Sequence, residues 1–409
     1  MARRLFIRLV ALGGSLLIAV LAAEFLSRIV IGPPSREFQV YDSEMGWRNE
    51  AGASGWRVTV DYRHWQSVNE KGLRGEFVPS YSRKSDDVFR VLVLGDSFVE
   101  GAGVSDHEVF PAALSKRLNG ADQRGEYEVI NFGVSGYSTD QELLAFEREG
   151  VKYDPDVTIL AFVYNDLEGN VASNASGATK PRFELTPDTQ SALGFIPNPP
   201  RPDQAAFLKF KTQLRQRSRL YALATDAIHK LQFTREFLGA LHVIEASDGE
   251  PPAKPFGFFA VDNQDSAGAA WALTETLVGR LANAVDCQGG RFCVVYVPPS
   301  FSVHDEDWTQ FQTQFGGGYE RHAVRDRLRE QATRQGIEFW DLTPALSAAA
   351  NQDNDRVYYR HDTHWTPRGH AIVAAELEKL VEQHKATLQS RSEAMEPSCA
   401  ERITAEARE

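Results

Sequence analysis

Five short apolar segments, separated by stretches with helical periodicity, constrain the fold of this 409-residue chain more than any other feature. Apart from Arg90, residues 88–94 are β-branched or apolar, and the run ends at Gly95, as expected of a strand buried on both faces. Further strands are predicted at 127–132, 157–164, 291–297 and 337–342, and helices at 109–118, 140–149, 267–285, 319–335 and 367–383. This alternation predicts an α/β fold with a doubly wound parallel sheet, in which ligands bind at the carboxyl ends of the strands.

Composition excludes several other classes of protein. With 42% hydrophobic and 24% charged residues the chain has enough apolar material for a core, which excludes a disordered or collagen-like chain. The 44 basic and 56 acidic residues give a net charge of −12, and no block of Lys or Arg interrupts the acidic background. We therefore expect no nucleic-acid partner.

The N-terminus has the pattern of an export segment. Three arginines in the first eight residues precede an uncharged stretch at 9–23, and apolar residues continue to Ile31. The uncharged stretch has the length of a cleaved signal peptide, whereas 5–31 could form one tilted membrane span with Glu24 and Arg28 near its end. We favour the uncleaved, single-pass anchor because Pro33-Pro34 follows it as a helix stop. The basic N-terminus would then stay in the cytoplasm and the rest would face the periplasm or exterior.

Composition shifts divide the chain into segments. Between the third and fourth strands lies a long insertion with a predicted loop at 170–202 and a helix at 205–231; it is interpreted as a lid, or alternatively as an embellishment with no role in selectivity. The segments are an anchor or signal (1–34), a membrane-proximal lead-in with a candidate strand at 56–62 (35–87), the α/β domain (88–387, insertion at about 166–287) and a polar tail (388–409).

The first strand ends in a turn suited to a nucleophile. Gly95-Asp96-Ser97 follows it directly, so Ser97 would project from a strand–helix turn where backbone N–H groups point at a developing oxyanion. Gly133 follows the second strand and Asn165 the third, and a glycine N–H and an asparagine amide are suitable further donors. Each of these residues alone could be an ordinary turn residue. Together they predict an oxyanion hole built from Ser97, Gly133 and Asn165.

A candidate base lies just before the final helix. His364 could take the serine proton, and Asp362 shares a face with it if the backbone is extended there. A metal site made of these two residues with His361 and His370 is the alternative, but no nearby Cys or Glu completes it. We predict no metal and no cofactor.

The ordered set of motifs resembles the SGNH (GDSL) hydrolase family. The blocks are Gly95-Asp96-Ser97, Gly133, Asn165-Asp166 and Asp362-Thr363-His364. The lead-in also looks like that of a membrane-anchored bacterial branch, through Tyr41-Asp42, Gly46-Trp47, Asn69, Gly72-Leu73-Arg74-Gly75 and Gly136 to Gln141. The resemblance implies a flavodoxin-like, three-layer fold, a catalytic triad of Ser97, His364 and Asp362, and an acyl-ester substrate on a glycan or lipid. It places the protein in a bacterial inner membrane, with the catalytic domain outside the cytoplasm.

Three positions depart from the family pattern. Phe98 replaces the usual leucine, Val163 replaces a glycine, and His361 stands where the family usually has the triad Asp. The block from Asp362 to Trp365 resembles instead the SGNH-like proteins that acetylate exported alginate. The predicted function is therefore a serine esterase hydrolysing acyl, and more specifically O-acetyl, esters. The alternatives are an O-acyltransferase acting on an exported polysaccharide and an inactive carbohydrate-binding module.

The cysteines leave one alternative open. Cys287 and Cys293 are near enough in sequence to close a small disulfide loop, or all three cysteines, including Cys399, are unpaired.

Overall fold

A computed structural model describes residues 2–82, 88–120, 125–175, 178–186, 193–198, 206–225, 256–261, 264–352 and 355–392. Within these residues the backbone forms two compact units. The first contains residues 1–37, 55–64 and 201–253, and the second contains residues 38–54, 65–200 and 254–409.

The core of the second unit is one parallel sheet of five strands. In chain order these are β5 (Phe89–Gly95), β6 (Tyr127–Gly133), β7 (Val157–Phe162), β12 (Arg291–Tyr296) and β13 (Glu338–Asp341). Their order across the sheet is β13-β12-β7-β5-β6, so β5 lies between β6 and β7. The sheet therefore has the doubly wound order of flavodoxin-like folds, and its switch point lies between β5 and β7. The predicted fold class and all five predicted core strands are confirmed.

Helices cover both faces of the sheet, because strand side chains alternate between two apolar layers. Val91 and Val93 belong to one buried cluster, and Leu92 and Leu94 belong to the other. The flanking helices are α2 (Ser97–Glu100), α3 (Phe110–Asn119), α4 (Thr139–Arg148), α5 (Asn165–Val171), α8 (Gln264–Asp286), α9 (Ser300–Val303), α10 (Asp305–Phe315), α11 (Ala323–Arg334), α12 (Thr343–Gln352) and α13 (Pro367–Ser392). The predicted helix at 319–335 begins four residues later than expected, and α10 and α12 were not predicted.

The lead-in and the insertion contain short antiparallel pairs. They are β1 (Gln39–Asp42) with β2 (Gly46–Asn49), β3 (Ser54–Val58) with β4 (Arg63–Ser67), β8 (Asn174–Ala175) with β9 (Ala178–Thr179), and β10 (Arg182–Leu185) with β11 (Leu193–Ile196). The prediction of a strand at 56–62 was wrong in part: residues 56–58 belong to β3, but the chain then reverses and β4 begins at Arg63. The predicted loop at 170–202 was also wrong in part, since it contains the other two hairpins.

The first unit contains the N-terminal helix α1 (Ala2–Val30) and helices of the insertion. By length and composition α1 could cross a membrane: Arg3–Val30 has a mean hydropathy of 2.3, a property that signal sequences share. Helix α6 (Ala206–Arg217) ends before Ser218, and a further helix, α7, begins at residue 219 and is described to residue 225. The predicted single helix at 205–231 is therefore broken at Ser218, and its last residues lie outside the described part of the chain.

A carboxylate of α1 caps the helix that begins after this break. Glu24 accepts hydrogen bonds from the Ser218 hydroxyl (2.9 Å) and from the backbone N–H groups of Arg219 (2.9 Å) and Leu220 (3.0 Å). Arg28 forms an ion pair with Glu24 at 2.7 Å. Glu24 thus acts as the N-terminal cap of α7, supplied by a helix distant in sequence.

Cys293 is a buried, free thiol in β12, and burial raises its pKa. The loop between Cys287 and Cys293 is therefore not closed by a disulfide, and Cys399 lies outside the described residues.

Candidate active site

The turn after β5 presents Ser97 at the carboxyl edge of the sheet. A Cβ atom at Gly95 would lie 2.3 Å from Val99 Cγ2, so only glycine allows α2 to begin this close to the strand. Asp96 caps α2 by accepting a hydrogen bond from the Phe98 N–H at 2.9 Å. Ser97 is the first residue of α2 and is partly exposed.

His364 lies directly opposite this serine. Its Nε2 atom is 2.6 Å from Ser97 Oγ, and its Nδ1 atom contacts Asp362 Oδ1. The same Asp362 oxygen accepts a hydrogen bond from the His364 backbone N–H at 3.0 Å. The structure therefore brings together the three residues predicted as a triad, although they come from two chain segments 267 positions apart.

The loop that carries Asp362 and His364 is bent rather than extended as expected. The chain bends from 360 to 364, and the segments on either side meet in an antiparallel bridge between Tyr358 and Trp365. The Tyr359 N–H donates to the His364 carbonyl at 3.0 Å, which closes the turn. Asp362 reaches the imidazole because its side chain folds back over this turn.

Aromatic side chains support the imidazole from below. The Phe98 ring lies 5.0 Å from the His364 ring and 4.7 Å from the Trp365 ring, measured between centroids. Trp365 and Tyr358 are fully buried. The ring of Phe98 thus packs against the His364 imidazole. The sequence had shown Phe98 only as a departure from the leucine that is usual in the family.

Gly133 lies beside the serine because β6 pairs in register with β5, which places its Cα opposite that of Gly95. A Cβ atom at Gly133 would lie 2.1 Å from the Glu100 backbone nitrogen, so α2 packs directly on this residue. The Gly133 N–H donates to the Asn131 side-chain oxygen at 2.9 Å, and the Asn131 amide donates to the Val99 carbonyl at 2.8 Å. The Gly133 N–H, which was predicted to be an oxyanion donor, therefore already donates a hydrogen bond to Asn131.

Asn165 is the first residue of α5, immediately after β7. Its amide nitrogen donates to Asp96 Oδ2 at 3.3 Å, which fixes the side chain beside the nucleophile turn. An amide nitrogen carries two hydrogens, so one remains for a substrate oxygen. The sequence places Asp96 in the turn before α2, but its hydrogen bond with Asn165 was not predicted.

A cluster of acidic side chains lies beneath these residues. Burial raises the pKa of Asp96, and it raises the pKa values of Glu142 and Asp166 strongly, with neighbouring carboxylates adding to the effect. Both Glu142 carboxyl oxygens lack a hydrogen-bond partner among the described residues. Because an ionised carboxylate without partners is costly to bury, this environment favours the neutral form of Glu142.

One ion pair is embedded in this cluster. The Lys180 ammonium contacts the Asp140 carboxylate, and both side chains are almost completely buried. Burial raises the pKa of Asp140 to about 6 although Lys180 opposes this shift.

The histidines near the base do not form a metal site with it. His361 is exposed, whereas His370 is buried and accepts a hydrogen bond from the Phe110 N–H at 3.3 Å. Within the described ranges, no group of three or more His, Cys, Asp or Glu side chains is arranged to hold a metal ion.

Two family models match the chain over the segments that build this site. The model of GDSL-like lipases and acylhydrolases matches residues 91–201, which include Ser97, Gly133 and Asn165. The model of the SGNH hydrolase-like domain of the acetyltransferase AlgX matches residues 258–405, which include Asp362 and His364. Over these two segments the chain carries SGNH (GDSL) hydrolase-like domains. Domains of this kind identify it as an enzyme that acts on ester bonds.

Solved structures similar to this chain have low sequence identity to it. A putative acylhydrolase from Bacteroides fragilis is 11% identical with a TM-score of 0.37, covering 74% of this chain and 91% of that one. A lipase/acylhydrolase from Enterococcus faecalis is 10% identical with a TM-score of 0.37, covering 72% and 96%. The acetyl xylan esterase AlAXEase is 13% identical with a TM-score of 0.38, covering 72% and 100%. No curated protein sequence matches the chain.

Proposed function

We propose that this protein is an extracytoplasmic serine esterase that hydrolyses acyl esters, specifically O-acetyl esters, of a glycan or lipid. The observation that carries the proposal is the contact of His364 Nε2 with Ser97 Oγ at 2.6 Å, with Asp362 on the other ring nitrogen. This is the arrangement in which an imidazole takes the serine proton while a carboxylate fixes its tautomer.

The reaction follows from these three side chains. His364 removes the proton of Ser97 as the serine oxygen attacks the acyl carbonyl, and Asp362 stabilises the imidazolium that forms. His364 then gives the proton to the departing alcohol, which leaves an acyl-serine. Water, activated by His364 in the same way, releases the acid and regenerates Ser97.

The negative charge on the carbonyl oxygen is stabilised by the backbone N–H groups of Ser97 and Gly133 and by the Asn165 amide. Asn131 keeps the Gly133 peptide oriented before the substrate binds, and the substrate oxygen shares the Gly133 hydrogen with it. Asp96 holds the Asn165 amide in the same way. The Asn165 amide keeps one hydrogen for the substrate oxygen, whereas the single Gly133 hydrogen must be shared with Asn131 when the substrate binds.

The proposed location rests on α1, whose apolar composition suits a single-pass inner-membrane anchor with the catalytic domain on the periplasmic side. Esters within reach of such a domain are carried by envelope glycans and lipids.

The nucleophile is tested by covalent labelling of the full-length protein in detergent micelles with a fluorophosphonate probe. We expect the adduct on Ser97 and no labelling of Ser97→Ala. Ser300→Ala is a matched control, because Ser300 also begins a helix after a strand of the sheet. Labelling at another serine, or normal labelling of Ser97→Ala, would refute the assignment.

A second candidate function is supported by the AlgX match over residues 258–405, the segment that supplies Asp362 and His364. In an O-acyltransferase the same acyl-serine forms, and a sugar hydroxyl takes the place of water. Mass spectrometry of envelope glycans from deletion and wild-type strains separates the two functions. Accumulation of O-acetyl groups in the deletion strain indicates a hydrolase, and their loss indicates a transferase.

A further inference from the structure

A cavity of about 800 Å³ lies along the edge strand of the sheet, outside the residues assigned to catalysis. One wall is the lead-in segment around residues 73–79, a second is the start of α3, and the floor is Val129 to Asn131 of β6. No role has been assigned to this cavity so far.

Two aromatic rings on the cavity wall are open to solvent. Trp65 is 46% exposed and Phe77 is 47% exposed, unusual values for large aromatic side chains in a folded domain. Ser115 and Lys116 of α3, together with His107, contribute polar groups to the same cavity. Aromatic faces combined with hydrogen-bonding groups suit a sugar ring, which has an apolar C–H face and a rim of hydroxyls.

The charges of the lining cancel. Arg74 is paired with Asp106 at 2.6 Å, and the remaining ionic side chains are Lys116 and Glu76, of opposite sign. The chain as a whole carries a net charge of −12, which repels polyanions. The cavity therefore favours an uncharged glycan over a polyuronate.

The cavity also continues toward the nucleophile. Asn131, which lines it, lies two residues before Gly133 on the same strand, a distance of about 7 Å along an extended chain. Arg74 extends from the cavity wall to the end of the nucleophile helix, where it donates to the Glu100 and Gly101 carbonyls at 3.3 Å each. A chain of sugars in the cavity would thus lie within one or two rings of Ser97.

We propose that this cavity is a subsite for an uncharged glycan chain and that it presents an O-acetyl ester of that chain to Ser97. This inference rests on the proposed esterase function and adds the class of substrate to it. Trp65 and Phe77 bind the chain at a distance from the bond that is cleaved, so they affect substrate binding rather than chemistry.

The test compares the full-length wild type in detergent micelles with Trp65→Ala, Phe77→Ala and the double variant. The substrates are acetylated xylan, acetylated glucomannan, acetylated polymannuronate and p-nitrophenyl acetate. We expect the KM for the neutral polymers to rise roughly tenfold for each ring removed, at constant kcat, with turnover of p-nitrophenyl acetate unchanged. Phe195→Ala is the matched control, since Phe195 is 43% exposed but lies outside the cavity.

Each failure has a separate signature. Absence of p-nitrophenyl acetate turnover in the wild type would refute the esterase function, and binding of xylan to Ser97→Ala with and without the two aromatic rings would still test the cavity. Turnover of p-nitrophenyl acetate with an unchanged polymer KM in the double variant would overturn the glycan subsite. So would a wild type that acts on neither neutral polymer, a preference for polymannuronate, or an equal loss in Phe195→Ala.

Discussion

At the scale of single residues, Asn131 and Asp96 each form a hydrogen bond with one of the proposed oxyanion donors, Gly133 and Asn165. The motifs around Ser97, Gly133 and Asn165 were found in the sequence because each follows an apolar strand. The bond between Asp96 and Asn165 was missed because the two residues follow different strands and meet only in the folded sheet. The bond between Asn131 and Gly133 spans two residues of one strand, and it was missed because the sequence does not show which way the Asn131 side chain turns.

With Asp362 proposed as the residue that orients the base, Asp362→Asn should lower the acylation rate about 10³- to 10⁴-fold with the fold intact, because an amide favours the wrong imidazole tautomer. His361→Ala is the control: His361 is adjacent but exposed, and its loss should change the rate less than threefold, an effect of roughly 0.6 kcal/mol. The measurement is hydrolysis of an aryl acetate at fixed pH, with folding followed by circular dichroism. A folded Asp362→Asn protein with full activity would mean that Ser97 and His364 work as a dyad.

With Asn165 proposed as a donor to the oxyanion, Asn165→Ala should lower kcat by about a hundred- to a thousand-fold with little change in KM. The reason is that the lost hydrogen bond strengthens only in the transition state. Steady-state kinetics on the aryl acetate give both constants. A rise in KM at unchanged kcat would instead make Asn165 a substrate-binding residue.

At the scale of elements, the sequence predicted the five strands because each is a short apolar run between turn residues. It missed α12, whose sequence TPALSAAANQ is mostly small residues with little contrast between its faces. It misread the lead-in, where the strands of β3–β4 are too short to show a clear alternation.

Because α2 packs closely on β6, we expect the stability of the protein to be sensitive to a side chain at Gly133. Gly133→Ala would place a methyl group 2.1 Å from a backbone nitrogen, so α2 must shift, and we expect a loss of about 1–3 kcal/mol or more of unfolding free energy together with loss of activity. Gly268→Ala is the matched control, because Gly268 lies in α8 with no atom within 4 Å of the added carbon. Alanine there should stabilise the helix by up to about 1 kcal/mol. Urea unfolding measures both; equal midpoints for the two variants would contradict the packing argument.

At the scale of the whole molecule, the buried carboxyl groups link stability to pH. Glu142 faces Asp140 and Lys180 as well as Asp96 and Asp166. A carboxyl whose folded pKa lies above its unfolded value of about 4 binds its proton more tightly in the folded state, so its contribution is lost as pH rises through the folded pKa. Burial lowers the pKa values of three histidines, His304, His322 and His384. Their contribution to the free energy of unfolding is therefore lost as the pH falls below about 6.5.

The effect of the Glu142 carboxyl on stability is isolated by comparing the free energy of unfolding of Glu142→Gln with that of the wild type. Glu142→Gln keeps the shape of the side chain and removes its titration, so it should match the wild type near pH 5 and become progressively more stable than it toward pH 9. The limiting slope is about 1.4 kcal/mol per pH unit for one proton. Urea unfolding between pH 5 and 9 gives the difference. Parallel curves with the variant less stable throughout would show that Glu142 is ionised and paired.

The cap that Glu24 provides to α7 has a consequence for the order of folding during synthesis. The hydroxyl partner, Ser218, lies 194 residues later in the chain, so it is made long after α1 has left the ribosome. Until then the Glu24 carboxylate has none of its α7 partners, and α7 has no such cap in any product truncated before Ser218. The first unit can therefore close around α1 only after the strands that precede Ser97, Asn165 and Gly136 have been synthesised, and before β12 and β13 leave the ribosome its Glu24 cap can already form.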